Sequence, residues 1–224
     1  MSDPLKLDDA KSEIEAIILE YEGRRASIDA EKKKLTRGKL YELFVLGRLL
    51  KELKGRGFSF SFVGKVLELK QGPGKIQPSD GYFSGYHPAS RQPFRIYTDI
   101  EVRTLGSLKS SALDDSAYHE IDIVAVDDGV SGNPTPDDLL LGVECKSTAK
   151  FAKAIVKETL GIKREISLLC GDQPSRLALL AGKDTPEVPS EPPVEYWLVY
   201  CDPKGNNYRQ SPKTFGVEYR EWKP

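Results

Sequence analysis

Histidine and cysteine are scarce in this sequence of 224 residues, and their scarcity excludes several kinds of site. The two histidines, His87 and His119, are too few for a histidine-rich metallohydrolase centre. The three cysteines, Cys145, Cys170 and Cys201, lie in or beside apolar runs and form no CxxC pair. We therefore expect buried thiols in a reducing compartment, and neither a zinc site nor a disulfide framework.

Long apolar runs and an excess of one charge are also absent. No stretch approaches the length that spans a membrane, and the opening MSDPLKLDDAK lacks the apolar core of a signal peptide. These features predict a soluble, cytoplasmic protein that binds no membrane. With 33 basic and 34 acidic residues the net charge is -1, so any surface that binds nucleic acid must be local. The segment GPGK at 72–75 lacks the following Ser or Thr of a Walker-type phosphate loop.

Two short apolar runs, residues 121–126 and 139–143, flank a loop-forming GVSGNPTP segment. This pattern predicts two neighbouring antiparallel strands. Because side chains alternate along a strand, Glu144 and Lys146 share one face and Cys145 points to the other. The start of the first strand then lies beside the end of the second. We therefore expect Asp122 to lie close to Glu144.

Two carboxylates and an ammonium would thus meet at one edge of a buried sheet. Such groups are costly there unless they are paired or bind a cation, and carboxylate oxygens suit Mg²⁺. Lys146 could position or activate a water molecule, or stabilise charge on a phosphate. The structural alternatives are that Asp122 bonds a backbone amide at the strand end and that Lys146 merely forms an ion pair with Glu144.

Asp122 followed by Glu144-Cys145-Lys146 resembles the motif of the PD-(D/E)XK nuclease superfamily. Ile121 stands where the family name has proline, and the resemblance covers residues 38–202. It implies an α/β, restriction-endonuclease-like fold, in which a mixed central sheet with an α-β-β-β-α-β core is flanked by helices. It also implies hydrolysis of phosphodiester bonds with Mg²⁺, for which Mn²⁺ can substitute. The implied metal ligands are Asp122, Glu144 and the carbonyl of Cys145, with Lys146 as a catalytic residue.

The segment 38–54 predicts a strongly apolar helix, and Glu42 falls among its buried leucines and valine. An acid is unusual on such a face. It could be a first-turn Glu favoured by the helix dipole. Alternatively, Glu42 is a further catalytic acid directed at the metal site, because many PD-(D/E)XK proteins carry a Glu on the helix before the first strand.

A second helix is expected after Lys146, with Ser147 or Thr148 as its cap. One side of this segment is basic and is formed by Lys150, Lys153, Lys157 and Arg164. This side is either a solvated face or a surface that contacts the phosphates of nucleic acid beside the site.

The remaining segments complete the predicted architecture. Residues 1–37 are expected to form an N-terminal helical arm, which either packs on the domain or forms a homodimer, and residues 38–224 a nuclease-like domain. Strands are expected at 58–69, 94–104 and 194–202, and a long loop at 71–93. The leading hypothesis is a metal-dependent DNA endonuclease, with restriction, repair or phage defence as settings that the resemblance implies. The second hypothesis is a nuclease-like module that binds nucleic acid or a protein without cutting.

Overall fold

The computed structural model describes residues 12, 16, 27–28, 36–67, 72–148 and 150–224. Its helices and strands are, in chain order, β1 (Ser27–Ile28), α1 (Arg37–Gly55), β2 (Ser59–Val63), β3 (Val66–Leu67), β4 (Tyr82–Tyr86), β5 (Pro93–Arg103), β6 (Tyr118–Asp127), β7 (Leu139–Lys146), α2 (Lys153–Ile166), β8 (Leu168–Pro174), α3 (Arg176–Leu180), β9 (Glu187–Glu191), β10 (Glu195–Tyr200), α4 (Gln210–Thr214) and β11 (Val217–Glu221). Short 3₁₀ turns occupy Asp115–Ala117, Pro136–Asp138 and Pro203–Tyr208.

Seven strands form one mixed sheet in the order β11-β10-β7-β6-β5-β4-β2. The neighbouring pairs β2-β4, β4-β5, β5-β6 and β6-β7 are antiparallel, whereas β10 is parallel to both β7 and β11. Two apolar clusters cover the two faces of the sheet, one contributed by α1 and the other by α2. The predicted α/β class, with helices on both faces of a mixed sheet, is confirmed.

Helix α1 matches its prediction closely. Thr36 caps it by accepting a hydrogen bond from the backbone N–H of Lys39 at 3.3 Å. Five of its leucines, from Leu43 to Leu53, and Val45 are buried against one face of the sheet. Glu42 is only 8 % exposed and lies on this buried side, as the helical spacing predicted.

The predicted antiparallel pairing of the two apolar runs is also confirmed, as β6 and β7. Ile123 lies opposite Val143, so Asp122 faces Glu144 one position further along. The sheet is distorted at this point. Asp99 on β5 has a φ of 56°, in the left-handed region that a residue with a side chain rarely adopts. Ile121 and Ile123 consequently pack in opposite apolar clusters, although residues two apart in a regular strand share one face.

Three predictions of local structure are wrong. The expected loop at 71–93 contains β4, whose Phe83 is buried in the sheet core. The expected strand at 58–69 breaks at Gly64, which has a φ of 136°, so that β2 and β3 are separate strands. The helix after Lys146 does not start at Ser147 or Thr148. Its first residue is Lys153, and Ala152 occupies the N-cap position without a side-chain hydrogen bond.

The reason for the late start of α2 is that the intervening segment finds other hydrogen-bond partners. The hydroxyl of Thr148 accepts from the backbone N–H of Lys150 at 3.1 Å. A carboxylate oxygen of Asp202 accepts from the N–H of Phe151 at 2.7 Å. These bonds hold the chain in an irregular conformation.

The predicted N-terminal arm lies mostly outside the described residues. Within that segment, Ser27–Ile28 form β1, which pairs parallel with β3, so these two residues are not helical. None of the helices in the described ranges is long and apolar enough to cross a membrane.

Candidate active site

The three residues of the sequence motif line one cleft. Asp122 reaches it from β6, and Glu144 and Lys146 reach it from the end of β7. The cleft has a volume of about 420 Å³, and α2 forms its opposite wall. The other lining residues are His119, Glu120, Glu158, Gly161, Ile162 and Glu165. The structure therefore brings together the three side chains that the motif singled out.

Glu144 is buried at the bottom of this group, with 3 % of its surface exposed. One carboxylate oxygen accepts a hydrogen bond from the Tyr196 hydroxyl at 3.2 Å, and the other lies 3.3 Å from the Lys146 ammonium. Burial, followed by the negative charge of Asp122, raises the pKa of Glu144 to about 8. Without a cation, this environment therefore favours the protonated form of the carboxyl group.

Lys146 lies between two acids. Its ammonium contacts Glu144 and also Glu158, whose nearest carboxylate oxygen is 3.1 Å away. Burial lowers the pKa of Lys146, but the charges of Glu144 and Asp122 outweigh burial and hold it above its ordinary value. The side chain is thus a charged ammonium at neutral pH. That state favours positioning of water or stabilisation of phosphate charge over proton abstraction.

Asp122 makes the backbone contact that the structural alternative anticipated. Its Oδ2 accepts a hydrogen bond from the N–H of Cys145 at 2.6 Å. Burial nevertheless raises the pKa of Asp122, although this hydrogen bond acts in the opposite direction. The Cys145 side chain packs against the α1 side of the sheet, away from the cleft. Its opposite orientation to Glu144 and Lys146 agrees with the strand alternation.

Three further residues join the site from α1 and β5, two elements that the motif does not include. Asp99 is fully buried on β5, and carboxylate oxygens of Glu42, Asp99 and Asp122 all lie within 4.8 Å of one another. Lys39, one turn before Glu42, places its ammonium 2.8 Å from a Glu42 oxygen and also contacts Asp99. The sequence signal for Asp99 was an acid among the apolar and aromatic residues of β5.

Glu42 therefore lies beside Asp99 and Asp122, and its role as a further catalytic acid stays a prediction. Burial, followed by the charge of Asp122, raises the pKa of Glu42 to about 7, whereas the hydrogen bond from Lys39 acts to lower it. The alternative of a Glu that merely interacts with the helix dipole does not account for this proximity to Asp122. Asp122 links Glu42 and Asp99 on one side with the open cleft on the other.

The basic side of α2 does not face the cleft. Lys150, Lys153, Lys157 and Arg164 are all exposed, and none of them lines it. The side of α2 that does line it carries Glu158 and Glu165, and Glu165 pairs with His119 at 2.9 Å. The cleft is thus rich in acids, with Lys146 among them. Its carboxylate oxygens are the donor type that Mg²⁺ and Mn²⁺ prefer, so the residues present fit a hard divalent cation.

Comparisons of the chain with protein-family models, with curated proteins and with solved structures find no match. The resemblance to PD-(D/E)XK nucleases therefore rests on the motif and the strand order of this chain.

Proposed function

We propose that this protein is a divalent-metal-dependent nuclease that hydrolyses phosphodiester bonds, with DNA as its substrate and cleavage inside the strand. The proposed restriction-endonuclease-like core is α1-β5-β6-β7-α2-β10, with β2 and β4 extending the sheet beyond β5. One observation carries the proposal: Asp122 and Glu144 lie opposite each other on adjacent strands and share a cleft with Lys146.

The residues that would hold the cation are acids that the fold already brings together. Asp122 belongs to both candidate ligand sets, one with Glu144 and the Cys145 carbonyl, the other with Glu42 and Asp99. When bound, Mg²⁺ would make a coordinated water more acidic and neutralise charge on the scissile phosphate. Helix α1 and the strands hold these carboxylates in place before substrate arrives, because each is buried or hydrogen-bonded.

The role of Lys146 follows from its charge and its position. Its ammonium reaches into the cleft from the end of β7 and remains protonated because Glu144 and Asp122 surround it. It would therefore orient the attacking water or donate a charged hydrogen bond to a phosphate oxygen. The Tyr196 hydroxyl would hold the Glu144 carboxylate in its orientation during this step.

The acidic walls of the cleft affect how a polyanion could enter it. Glu120, Glu158 and Glu165 would repel a phosphate backbone unless a cation offsets their charge. We therefore expect binding of DNA in the cleft to depend on the divalent ion. Lys150, Lys153 and Lys157 would contact phosphates outside the cleft. A homodimer through the N-terminal segment, which would allow both strands of a duplex to be cut, remains a proposal.

The proposal is tested by cleavage of plasmid and single-stranded DNA with Mg²⁺ or Mn²⁺, with and without EDTA. Lys146→Ala should abolish metal-dependent cleavage without altering the circular dichroism spectrum. Lys183→Ala, which removes an exposed lysine that does not line the cleft, is the matched control and should cut like the wild type. Full cleavage by Lys146→Ala would refute the assignment.

A second candidate function is a nuclease-like module that binds nucleic acid or a protein without cutting. The observation that favours it is that Lys39 and Lys146 form ion pairs with acids of the site, which offset part of the negative charge that a cation would otherwise neutralise. Such a module would bind DNA or a protein partner with the same affinity in the presence and in the absence of divalent ions. Cleavage that depends on Mg²⁺ would exclude it.

A further inference from the structure

Lys39 occupies a defined position at the start of α1. Its backbone N–H is fixed by the Thr36 cap, and its side chain is only 13 % exposed. The ammonium lies between Glu42 and Asp99 and contacts an oxygen of each. The two acids that lie within 4.8 Å of Asp122 in this group therefore already share a positive charge from the protein itself.

Asp99 needs such a partner more than an exposed acid would. It is fully buried, and it lies within β5, where its backbone is held in the left-handed region. A buried carboxylate is strongly unfavourable unless a cation and hydrogen bonds compensate for the loss of water. Its position inside a central strand prevents it from moving to solvent. The Lys39 ammonium supplies part of this compensation.

A divalent ion that binds Glu42, Asp99 and Asp122 would have to use the same oxygens or lie close to the ammonium. Two positive centres that share ligands repel each other, and the repulsion is strong where water is excluded. Lys39 would then have to swing away or remain at an energetic cost. In either case its presence weakens binding of the ion.

We propose that Lys39 is a resident counter-ion that competes with the divalent cation for Glu42 and Asp99, and so sets the metal affinity of the site. This inference rests on the proposed function, because it concerns the same acids. It assigns to the first turn of α1 a regulatory role that the motif on β6 and β7 does not suggest. A purely structural Lys39 would instead hold the acids together, and its loss would weaken metal binding.

Isothermal titration of the full chain with Mn²⁺ at mildly alkaline pH, where the acids are ionised, tests the proposal without any need for cleavage. Lys39→Met keeps most of the side-chain volume and removes the charge, so Mn²⁺ should bind on the order of tenfold more tightly or better. Lys39→Arg keeps the charge and should bind like the wild type. Lys51→Met, on an exposed position of the same helix, is the control for loss of a lysine elsewhere.

Lys39→Gln provides a second neutral variant if Lys39→Met does not fold, with thermal unfolding as the check. Equal or weaker Mn²⁺ binding by the folded neutral variant would overturn the proposal, and so would the absence of any Mn²⁺ binding. The proposed function is judged separately, by DNA cleavage with the wild type and Lys146→Ala. Metal-dependent cleavage with no gain of affinity in the neutral variant would leave the nuclease standing and remove only the role of Lys39.

Discussion

Glu144→Gln should stabilise the protein at alkaline pH while abolishing metal-dependent cleavage. Glu144 is buried between Tyr196 and Lys146, and its pKa is about 8 because burial and Asp122 disfavour its charged form. A carboxyl group whose pKa is raised on folding stabilises the fold below its unfolded value and loses that contribution as pH rises through the folded value. Glutamine copies the shape and neutrality of the protonated acid, so it keeps the contribution at every pH.

The size of the effect follows from the displacement of the pKa. A rise of the pKa from 4.5 to about 8 on folding corresponds to roughly 5 kcal/mol of folding free energy, since each pKa unit is worth about 1.4 kcal/mol. The stabilising contacts from Lys146 and Tyr196 are already included in that displacement. Because Asp122 titrates together with Glu144, we expect a gain of about 2–5 kcal/mol above the folded pKa. Below the unfolded pKa the two proteins should be equally stable.

The assay is urea unfolding of the wild type and Glu144→Gln in EDTA, followed by tryptophan fluorescence at about pH 5 and about pH 9. Glu158→Gln, which removes the exposed partner of Lys146, is the control and should change stability by less than about 1 kcal/mol at both pH values. The reasoning would be refuted if Glu144→Gln were less stable than the wild type by the same free energy at both pH values. Such a result would mean that Glu144 is ionised and structurally paired throughout.

The initial rate of cleavage by the wild type should rise as pH increases from about 7 to about 8, because Glu42 and Glu144 must lose their protons before they bind a cation. A cleavage rate that does not change across this range would contradict the raised pKa values. Lys163→Met should stabilise the protein near neutral pH. The Lys163 ammonium is buried against Ser190 and the Val194 carbonyl, with no acid partner in the described ranges, and burial lowers its pKa to about 7. The contribution of Lys163 to stability should therefore rise with pH from about 7 toward 10.5, so the gain in stability of Lys163→Met over the wild type in urea unfolding should shrink across this range; a gain that does not change with pH would contradict this.

Much of the site could be predicted from the sequence because the relevant signals are local. Strand alternation determines that Glu144 and Lys146 share a face, and a hairpin between two apolar runs brings Asp122 opposite Glu144. Helical spacing alone directs Glu42 toward the core. The structure bears out each of these geometric expectations. The pKa of Lys146, in contrast, depends on the acids around it, including Glu158 from a helix that folds back over the cleft.

The errors of prediction arose where the local composition was ambiguous. Gly, Pro and Ser around 71–93 indicated a loop, but pairing with β2 and β5 makes Tyr82–Tyr86 a strand. Ser147 and Thr148 are good helix caps, yet α2 starts only at Lys153, because the Asp202 carboxylate accepts a hydrogen bond from the N–H of Phe151 and Thr148 accepts one within the loop. In each case the conformation of the segment depends on hydrogen-bond partners that are distant in the sequence or lie in an irregular turn.

The sequence by itself determined the strand pair that carries Asp122, Glu144 and Lys146, because periodicities of two and 3.6 residues set which side chains share a face. The tertiary structure decided which other groups surround them. Asp99 joins the acids because β5 pairs with β6 and its backbone is distorted there, and Lys39 joins because α1 begins above that point. The acidic wall of the cleft depends on how α2 is rotated against the sheet. These contacts join residues far apart in the chain, and no local pattern specifies their distances.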